Sequence, residues 1–317
     1  MISLREISEK LFKEKSVALF CHVRPDGDTV GSALALKLAL EKKGIKADVF
    51  SDDVMPARFS YINAINQIKN SIDQKYSAYI AIDCADITRL GKFAEEFSAQ
   101  KNTYNLDHHV SNDCYGRYNA VYDNAANCEN VYDVITYAGI TPDKEIAECL
   151  ATGLVTDTGA FKHKNVTAKT FKIAAELLSC GADFNKIVYC NFSAQSKERA
   201  ALFGTTMTKL RYFLDDRLCI GTVRMSDVEK CGAKPDETEG FIDFILGIDC
   251  VEVAITILET DKNKFKVSFR AKNTDVNAIA SEFGGGGHVL ASGCKICGEY
   301  EEVVDKLRYQ VGRYIKD

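Results

Sequence analysis

Alternating apolar and polar segments in the first half of the chain predict a parallel β-sheet covered by helices. The predicted strands are short runs rich in β-branched and aromatic residues, at residues 16–22, 45–50, 78–83 and 103–107. Segments with helical periodicity lie between or after these strands, at residues 29–43, 58–71, 88–99, 127–138 and 143–154. Strands that alternate with helices indicate an α/β fold with a doubly wound parallel sheet.

The pattern changes at about residue 217, where longer predicted strands replace the short ones. Helical patterns at residues 167–180 and 193–213 precede the change, and strands at 217–224, 251–259 and 264–271 follow it. Helices near 276–283 and at 301–315 flank a run of glycines. We therefore predict a first α/β domain at residues 1–190, a helical linker at 191–214 and a smaller α/β domain at 215–317.

The composition narrows the class of protein. The chain is 46% hydrophobic and 27% charged, as is usual for a globular protein. It has no run of eighteen apolar residues, and its charged N-terminal segment lacks the apolar core of a secretion signal, so we expect a cytoplasmic protein without a membrane span. The net charge of −5 is opposite to the broad basic surface that grips long nucleic acids. Any nucleic-acid substrate should therefore be short.

The twelve cysteines are scattered, and many lie inside apolar segments. This placement favours buried free thiols in a reducing compartment over disulfides. One close pair, Cys294 and Cys297, has the spacing of half a structural zinc site, but no second pair completes it. Whether this pair binds anything stays open at this point.

Acidic and imidazole side chains follow three of the predicted strands. They are His22, Asp26 and Asp28 after the first strand, Asp83 after the third, and Asp107, His108 and His109 after the fourth. Because ligands bind outside the carboxyl ends of parallel strands, we expect these side chains to meet at one edge of the sheet. Asp157, in the segment TGLVTDTGAF, is a further candidate.

Such a set is larger than a single metal ion needs. Carboxylates with some imidazole suit Mn²⁺, with Mg²⁺ as the second choice, and a pair of such ions promotes in-line displacement at phosphorus. Each residue alone has an ordinary explanation, since Asp28 could cap a helix and His22 could be a buried core histidine. Independent capping does not explain acids and imidazoles at three converging strand ends.

The second domain carries a separate signal, the run GGGGH at residues 284–288. Consecutive glycines let backbone N–H groups approach an anion closely, although the run could equally be a flexible turn. It is not a P-loop, because no Gly-Lys-Ser/Thr follows. Arg270, near the end of a predicted strand, could contact a phosphate, or it could be an ordinary surface residue.

Five segments in this order, HVRPDGD, AIDCAD, LDHHVSN, TGLVTDTGAF and FGGGGHVLASG, resemble the motifs of the DHH phosphoesterase family with a C-terminal DHH-associated domain. The resemblance covers about residues 15–315. The compact form, without additional domains, is similar to the nano-RNase A group of bifunctional oligoribonucleases and 3′-phosphoadenosine-5′-phosphate (pAp) phosphatases. It makes residues 1–190 the catalytic DHH domain and residues 215–317 the substrate-binding DHH-associated domain.

The resemblance also implies a role for each matching residue. Two Mn²⁺ ions, or Mg²⁺ or Co²⁺, would be held by His22, Asp26, Asp28, Asp83, His108 and Asp157, with Asp83 and Asp157 bridging or shared. His109 would contact the scissile phosphate or assist the leaving group, Asp107 would orient His108, and Asn112 would lie at the substrate or its loop. The terminal phosphate of the substrate would be bound by Arg270, Gly285, Gly286, Gly287, His288 and Ser292.

The implied activity is hydrolysis of oligoribonucleotides of about two to five nucleotides to mononucleotides, together with dephosphorylation of pAp. A cyclic or linear dinucleotide phosphodiesterase, acting on c-di-AMP, pApA or pGpG, would use the same site and stays an alternative. An inorganic pyrophosphatase shares the first domain but lacks the GGGGH run. A non-hydrolytic nucleotide sensor would not need the intact ligand set, and a redox role for the thiols has less support.

Asn127, Cys128 and Lys162 depart from residues common in the family, which bears on base preference rather than on catalysis. The resemblance is compatible with a homodimer. Neither a membrane nor a long nucleic acid is expected as a partner.

Overall fold

The computed structural model describes residues 1–315, and the chain divides into two compact units, Met1–Ala194 and Gln195–Asp317. The first unit contains a parallel sheet and the second a separate mixed sheet, which confirms the predicted α/β fold class. Within residues 1–315, no helix combines the length and apolar character that crossing a membrane requires.

The first unit is built from five strands and seven α-helices. The strands are β1 (Ser16–Phe20), β2 (Lys46–Phe50), β3 (Ala78–Ile82), β4 (Thr103–Asp107) and β5 (Tyr118–Val121). The helices are α1 (Leu4–Leu11), α2 (Gly27–Lys42), α3 (Ala94–Ser98), α4 (Asn127–Tyr137), α5 (Lys144–Asp157), α6 (Ala168–Ser179) and α7 (Phe184–Val188). All strands run parallel, in the order β2-β1-β3-β4-β5.

The strand order reverses direction between β1 and β3, because β2 lies on one side of β1 and β3 on the other. In open α/β sheets such a reversal leaves a crevice at the carboxyl ends of the two strands, where ligands bind. His22 follows β1 and Asp83 directly follows β3. The topology therefore delivers both residues to this crevice.

The sheet of the first unit is buried on both faces, which is typical of parallel strands. Val17 and Leu19 point into the main core, which is built largely from helices α1, α2, α4 and α5. Ala18 and Phe20 point to the opposite face, where a cluster of aromatic rings includes Phe50 stacked on Phe20 with centroids 5.5 Å apart. This two-sided burial holds the strand ends of the crevice in a rigid framework.

Helices α2 and α5 approach unusually closely, and glycine is required at the contact. A Cβ atom at Gly31 would lie 2.2 Å from the carbonyl oxygen of Cys149, and one at Gly153 would lie 2.5 Å from Oδ1 of Asp28. Neither position has room for a side chain. The close approach brings the start of α2, with Asp28, beside α5, which ends at Asp157.

The second unit combines a mixed sheet with helices on both faces. Its strands are β6 (Arg211–Phe213), β7 (Leu218–Val223), β8 (Val253–Asp261), β9 (Lys264–Ala271), β10 (Gly286–His288) and β11 (Ala291–Cys297). Its helices are α8 (Lys197–Met207), α9 (Met225–Cys231), α10 (Phe241–Leu246), α11 (Val276–Ser281) and α12 (Tyr300–Gly312). The strand order is β10-β11-β9-β8-β7-β6, with β7 and β8 parallel and the other neighbours antiparallel.

Helices α11 and α12 cover one face of this sheet and form its main core. On the opposite face, α10 packs Ile242 and Ile245 against Cys219 and Ala254. The side chains of β9 alternate accordingly, with Phe265, Val267, Phe269 and Ala271 buried and Lys264, Lys266, Ser268 and Arg270 more accessible. The unit therefore has a polar strip along β9 on the α10 side.

Several local predictions from the sequence differ from the structure. Residues 58–71 do not form the predicted α-helix. Two short 3₁₀ helices, Ala57–Phe59 and Asn63–Gln67, occur there instead. The predicted helix at 88–99 is a 3₁₀ segment followed by α3, with a break at Gly91, whose φ is +60°. Residues 193–213 include α8 and β6 rather than one continuous helix.

Candidate metal centre

The predicted acids and imidazoles of the first unit come together at the carboxyl edge of its sheet. They form three overlapping groups, namely His22, Asp26 and Asp83, then Asp28, His108 and Asp157, and then Asp83, His108 and His109. In each group, one ligand atom per residue lies within 4.8 Å of the others. Asp83 and His108 each belong to two groups, so the groups form one continuous cluster.

His22 and Asp26 form the part of the cluster that belongs to the loop after β1. The His22 Nε2 atom lies 3.4 Å from Oδ2 of Asp26 and 3.5 Å from Oδ2 of Asp83. Asp26 is also the N-cap of α2, because its Oδ1 accepts the backbone N–H groups of Asp28 and Thr29. One oxygen of Asp26 thus caps the helix while the other faces His22. The capping role that the sequence suggested for Asp28 belongs to Asp26.

Asp28 is fully buried and anchors the start of a different helix, α4. Its carboxylate accepts hydrogen bonds from the Ser32 hydroxyl and from the backbone N–H groups of Asn127 and Cys128. The N-cap of α4 is Ala126, which has no side-chain acceptor, so Asp28 supplies the missing cap from α2. Its Oδ2 lies 4.0 Å from Nε2 of His108.

Asp83 occupies the centre of the cluster and adopts a strained backbone. Its φ of +57° lies in the left-handed region, and the side chain is 2% exposed. Its Oδ2 faces His22, while Oδ1 lies 3.4 Å from Nε2 of His108. This Oδ1 accepts no hydrogen bond from the residues that the structure describes. A buried carboxylate oxygen without a donor has the environment that a bound cation would satisfy.

His108 and His109, which follow β4, both face Asp83 but have different supports. Their rings lie 4.7 Å apart between centroids, and Nε2 of His108 and Nδ1 of His109 lie 3.4 Å and 3.6 Å from Oδ1 of Asp83. Nδ1 of His108 bonds to the carbonyl oxygen of Asn124 at 3.0 Å, and Nδ1 of His109 bonds to Oδ1 of Asp107 at 2.8 Å. The expectation that Asp107 orients His108 is therefore corrected, because this carboxylate holds His109 instead. Asn112 donates its amide to the other oxygen of Asp107, so it contacts this pair.

Asp157, the last residue of α5, completes the group around His108, with its Oδ2 3.3 Å from Nε2 of that histidine. The backbone carbonyl of Asp157 accepts from His163 and Asn165, at 3.1 Å and 3.3 Å. His163 therefore supports the C-terminal end of α5. The bond is local, because the chain reverses just after the helix.

Crowding of the carboxylates shifts their pKa values. Burial, together with the neighbouring Asp83, raises the pKa of Asp28 to about 7. Burial and the charges of Asp28 and Asp83 raise the pKa of Asp157 to about 10. Without cations, the cluster therefore retains protons on carboxylates at neutral pH. Divalent ions would remove this repulsion, so the donor set fits them.

The pKa values of two histidines in the cluster are also raised, because carboxylates surround both rings. Burial would lower the pKa of His22, but its contacts with Asp26 and Asp83 raise it to about 10. Burial likewise opposes protonation of His108, whose contacts with Asp83 and Asp28 raise its pKa to about 11. Burial opposes ionisation of Asp83, yet His108 and His22 hold its pKa below the usual value. In the absence of metal, protons on the two histidines take the place of cations.

Two side chains next to the cluster, those of Arg89 and Asn165, were not identified from the sequence. Arg89 places Nη2 3.0 Å from Nδ1 of His22, whose Nδ1 also lies 2.9 Å from the Val23 carbonyl. Asn165 joins the end of α5 to the loop before α4 by donating to the Ala125 carbonyl at 2.8 Å. Both residues lie outside strand ends, so the strand-end criterion could not find them.

In the second unit, Arg270 and His288 lie on the same face of the sheet. His288 is paired with Ala291 and Ala291 with Arg270 across three neighbouring strands. Directly paired residues share a face, and two strand spacings separate the outer pair by about 10 Å. The small Ala291 leaves the space between them open. Arg270 also lines a cavity of about 440 Å³ with Lys266 and Ser268.

The other predicted residues of the second unit have different surroundings. Ser292 is buried, and its hydroxyl donates to the carbonyl of Val276 at 2.6 Å, so it ties β11 to α11. Gly286 and Gly287 are exposed in β10, and a Cβ at Gly285 would lie 2.2 Å from the Gly293 carbonyl oxygen. The glycine run is therefore also required for close packing of β10 against β11.

Cys294 and Cys297 do not face one another. They are three residues apart on β11, and an odd separation along a strand places side chains on opposite faces. Cys294 is buried in the core and Cys297 is exposed. The pair cannot share a metal ion without breaking the strand.

Comparison with protein families matches both halves of the chain. Residues 16–154 match the model described as the DHH family, N-terminal domain, and residues 217–317 match the DHHA1 domain. Together the two matches span most of the chain.

Curated relatives cover nearly the full length. The protein named bifunctional oligoribonuclease and PAP phosphatase NrnA of Thermus thermophilus is 28% identical over 314 residues, which are 95% of this chain and 91% of that protein. The protein of the same name from Bacillus subtilis is 25% identical over 292 residues, 89% of each chain. An exopolyphosphatase-related protein from Bacteroides fragilis has the same fold, with a TM-score of 0.85, 24% identity, and coverage of 98% of this chain and 96% of that one.

Proposed function

The chain belongs to the DHH family and carries a DHHA1 domain, and from this premise we propose that it is a metal-dependent phosphoesterase. Its substrates would be short oligoribonucleotides, cleaved to mononucleotides, and pAp, from which it would remove a phosphate. The observation that carries the proposal is the position of Asp83, with one carboxylate oxygen facing each of two histidines. The names of the full-length relatives support the substrate class.

We assign two divalent cations to the cluster, with Mn²⁺ as the preferred ion and Mg²⁺ or Co²⁺ as substitutes. One would be held by His22, Asp26 and Asp83, and the other by Asp28, His108 and Asp157, with Asp83 shared. The mixture of carboxylate and imidazole donors favours Mn²⁺ over ions that prefer thiolates. When bound, such ions lower the pKa of water and offset charge on a phosphate.

His109 is the residue best placed to exchange a proton with the substrate. Hydrogen bonding to Asp107 raises the pKa of His109, and its Nε2 makes no hydrogen bond within residues 1–315. Asp107 fixes the ring by its contact with Nδ1, and Asn112 in turn holds Asp107. A protonated Nε2 can donate to the leaving oxygen of a phosphate ester, as a general acid does.

Within the second unit, we propose that Arg270 and His288 bind a phosphate of the substrate. A guanidinium suits this role because its fork of donors matches phosphate oxygens. Arg270 contacts Asp243 weakly, at 3.6 Å between Nε and Oδ1, and donates from Nη1 to the Phe269 carbonyl at 3.0 Å, so within residues 1–315 its Nη2 group makes no hydrogen bond. A few such contacts favour short substrates, since the net charge of −5 gives no general attraction for long polymers.

A substrate panel tests the proposal. Purified protein with Mn²⁺ is given 5′-phosphorylated RNAs of increasing length, pAp, c-di-AMP, linear dinucleotides and pyrophosphate, and the products are separated by chromatography. Mononucleotide release from the short RNAs and phosphate release from pAp, both abolished by a chelator, are the expected results. Turnover confined to pyrophosphate or to cyclic dinucleotides would contradict the proposed substrates.

Two variants complete this panel, one with a change at the proposed site and one as its control. Asp83→Asn preserves the shape of the side chain but removes the negative charge at the shared position, and it should lose activity on every substrate. Asp113→Asn removes an exposed acid near the site in sequence that belongs to none of the metal groups, and it should behave as the wild type. Equal activity of the two variants would show that the cluster is not the active site.

A further inference from the structure

A chain of asparagine side chains lies beside the metal centre. The backbone carbonyl of Asn124 holds Nδ1 of His108 at 3.0 Å, and the side-chain amide of Asn124 donates to Oδ1 of Asn130 at 2.6 Å. Asn130 donates in turn to the backbone carbonyl of Asp107 at 3.1 Å and to Oδ1 of Asn127 at 3.2 Å. The chain thus joins the end of β4, the loop before α4 and the first turn of α4.

Asn130 is the hub of this chain and is fully buried. Transfer of an amide out of water is unfavourable unless its donors and acceptors find partners. Both donors of Asn130 and one of its acceptor positions are used in the bonds above. Two of the bonds end at residues adjoining the cluster, at the Asp107 carbonyl and at Asn124. An apolar side chain of similar size could fill the same space without forming these links.

The carbonyl of Asn124 decides which nitrogen of His108 can bind a metal. Because Nδ1 lies against a carbonyl oxygen, Nδ1 carries the proton and Nε2 keeps its lone pair in the neutral ring. Nε2 is the atom that faces Asp83 and Asp157, at 3.4 Å and 3.3 Å. The direction of the ring therefore depends on where the loop places one carbonyl group.

The loop that carries this carbonyl is held by backbone and side-chain hydrogen bonds. The N–H of Tyr122 donates to the carbonyl of Asp107 at 3.1 Å, the N–H of Asn124 donates to the carbonyl of Tyr122 at 2.7 Å, and the carbonyl of Ala125 accepts from Asn165 at 2.8 Å. The bond from the side chain of Asn124 to Asn130 adds the link between this loop and the first turn of α4. Loss of this tie would let the carbonyl move while the surrounding helices stay in place.

We infer that Asn124 and Asn130 are positioning residues, which fix the loop carbonyl that orients His108 for metal binding. They act through His108 and do not touch the substrate. The inference rests on the metal-dependent part of the proposed function. Neither residue directly follows one of the strands predicted from the sequence or lies in one of the five motifs.

The test is Mn²⁺ binding to the full-length protein, measured by titration calorimetry at a temperature well below unfolding of the metal-free protein. Asn124→Ala keeps the backbone carbonyl but removes the bond to Asn130, and Asn124 is only half-buried, so the variant should fold. Removing residues that orient a metal-binding histidine typically lowers metal affinity about 10- to 100-fold. We expect a loss of about 10-fold in at least one binding step.

Asn102→Ala is the matched control. Asn102 is also half-buried and also makes side-chain hydrogen bonds, to Glu14 at 2.8 Å and to the Ser77 carbonyl at 2.7 Å. It precedes β4, at the opposite end of that strand from His108. Its replacement should lower stability without changing Mn²⁺ affinity. An equal loss of affinity in both variants would overturn the inference, because the effect would then be one of general stability.

A double-mutant cycle tests whether Asn124 and Asn130 act through their common hydrogen bond or independently of each other. If Asn124 and Asn130 act through their common hydrogen bond, the double variant of Asn124→Ala and Asn130→Ala should lose no more affinity than the weaker-binding single variant. Additive losses would contradict the inference. Should Asn130→Ala fail to fold, Asn124→Ala alone decides between the two outcomes.

The wild type distinguishes failure of this inference from failure of the proposed function. A wild-type protein that binds no Mn²⁺ would contradict the metal-dependent function and the inference together. A wild type that binds Mn²⁺, with Asn124→Ala binding equally well, would overturn the inference alone and leave the proposed function intact.

Discussion

The metal centre of the first unit and the phosphate-binding face assigned to the second unit are built in opposite ways. At the metal centre, Asp28 is fully buried and receives several hydrogen bonds, and His108 is fixed through its second ring nitrogen. In the second unit, His288 is exposed, and Arg270 is 37% exposed and donates a hydrogen bond to the neighbouring Phe269 carbonyl. The ligand geometry is thus held by its surroundings, whereas the binding face is open.

This difference follows from what each region has to do. A metal site loses affinity and chemistry when its ligands shift by fractions of an ångström, so its supports are as important as its ligands. A surface that grips a phosphate tolerates motion, because long cationic side chains can follow the anion. Substitutions at the metal centre should therefore abolish chemistry, and substitutions on the open face should weaken binding.

The largest effect should come from Asp83→Asn. The variant removes the charge shared by two metal groups, so we expect kcat/KM to fall by at least about 10³-fold on short RNA. Circular dichroism should show an unchanged fold, because asparagine tolerates the left-handed backbone as aspartate does. Near-normal Mn²⁺-dependent turnover in this variant would show that Asp83 is not part of the active site, and the contrast between the two regions would then fail.

His109→Ala should lower kcat by about 10²-fold, as loss of a general acid does, while Mn²⁺ binding is retained. The reason is that Nδ1 of His109 is committed to Asp107, so the ring contributes chiefly through Nε2. Kinetics and calorimetry on the same preparation check both parts. If Mn²⁺ affinity fell as strongly as kcat, His109 would have to be counted among the metal ligands.

Mn²⁺ should stabilise the protein, because binding relieves repulsion among buried carboxylates. At a concentration of about 100 times Kd, a single ion adds about 2.7 kcal/mol to the free energy of unfolding. A thermal melt of the first transition should therefore shift upward by several degrees in the wild type and by clearly less in Asp83→Asn. Identical shifts in both proteins would indicate a metal site elsewhere.

The smallest effect should come from the open face. His288→Ala should lower kcat/KM on short RNA about 10-fold, chiefly through KM, with unchanged metal content, because one charge-assisted hydrogen bond is lost. Metal analysis after gel filtration and steady-state kinetics check the two halves of this statement. Loss of bound Mn²⁺ would show that the two regions are not functionally separate.

Regular features of the fold could be predicted from the sequence because they depend on local patterns. The short apolar runs that became β1, β3 and β4 place His22, Asp83 and His108 at the same sheet edge, whatever the details of the loops. Residues 58–71 were mispredicted because their apolar spacing suits a helix, while tertiary packing leaves only short 3₁₀ turns. Strand β10 was missed because a run of glycines has no side-chain pattern to detect.

The support of the site could not be predicted, because it comes from residues distant in sequence. Asp28 caps α4 although it lies about a hundred positions earlier in the chain. The sequence near Ala126 does not indicate that a residue of α2 caps α4. The partner of Asp107 depends on how the two histidine rings turn after β4 ends, and the sequence does not specify this. Asn124 and Asn130 differ from ordinary loop and helix residues only through the three-dimensional contacts they make.

The left-handed backbone at Asp83 limits which residues can follow β3. A φ of +57° disfavours β-branched and bulky side chains, whereas glycine and asparagine adopt it readily. Both of these residues lack the negative charge that Asp83 places between the two histidines, so the replacements that suit the backbone do not suit the proposed chemistry. Random mutagenesis of this one codon should therefore yield folded but inactive proteins, which are natural reagents for trapping uncleaved substrates.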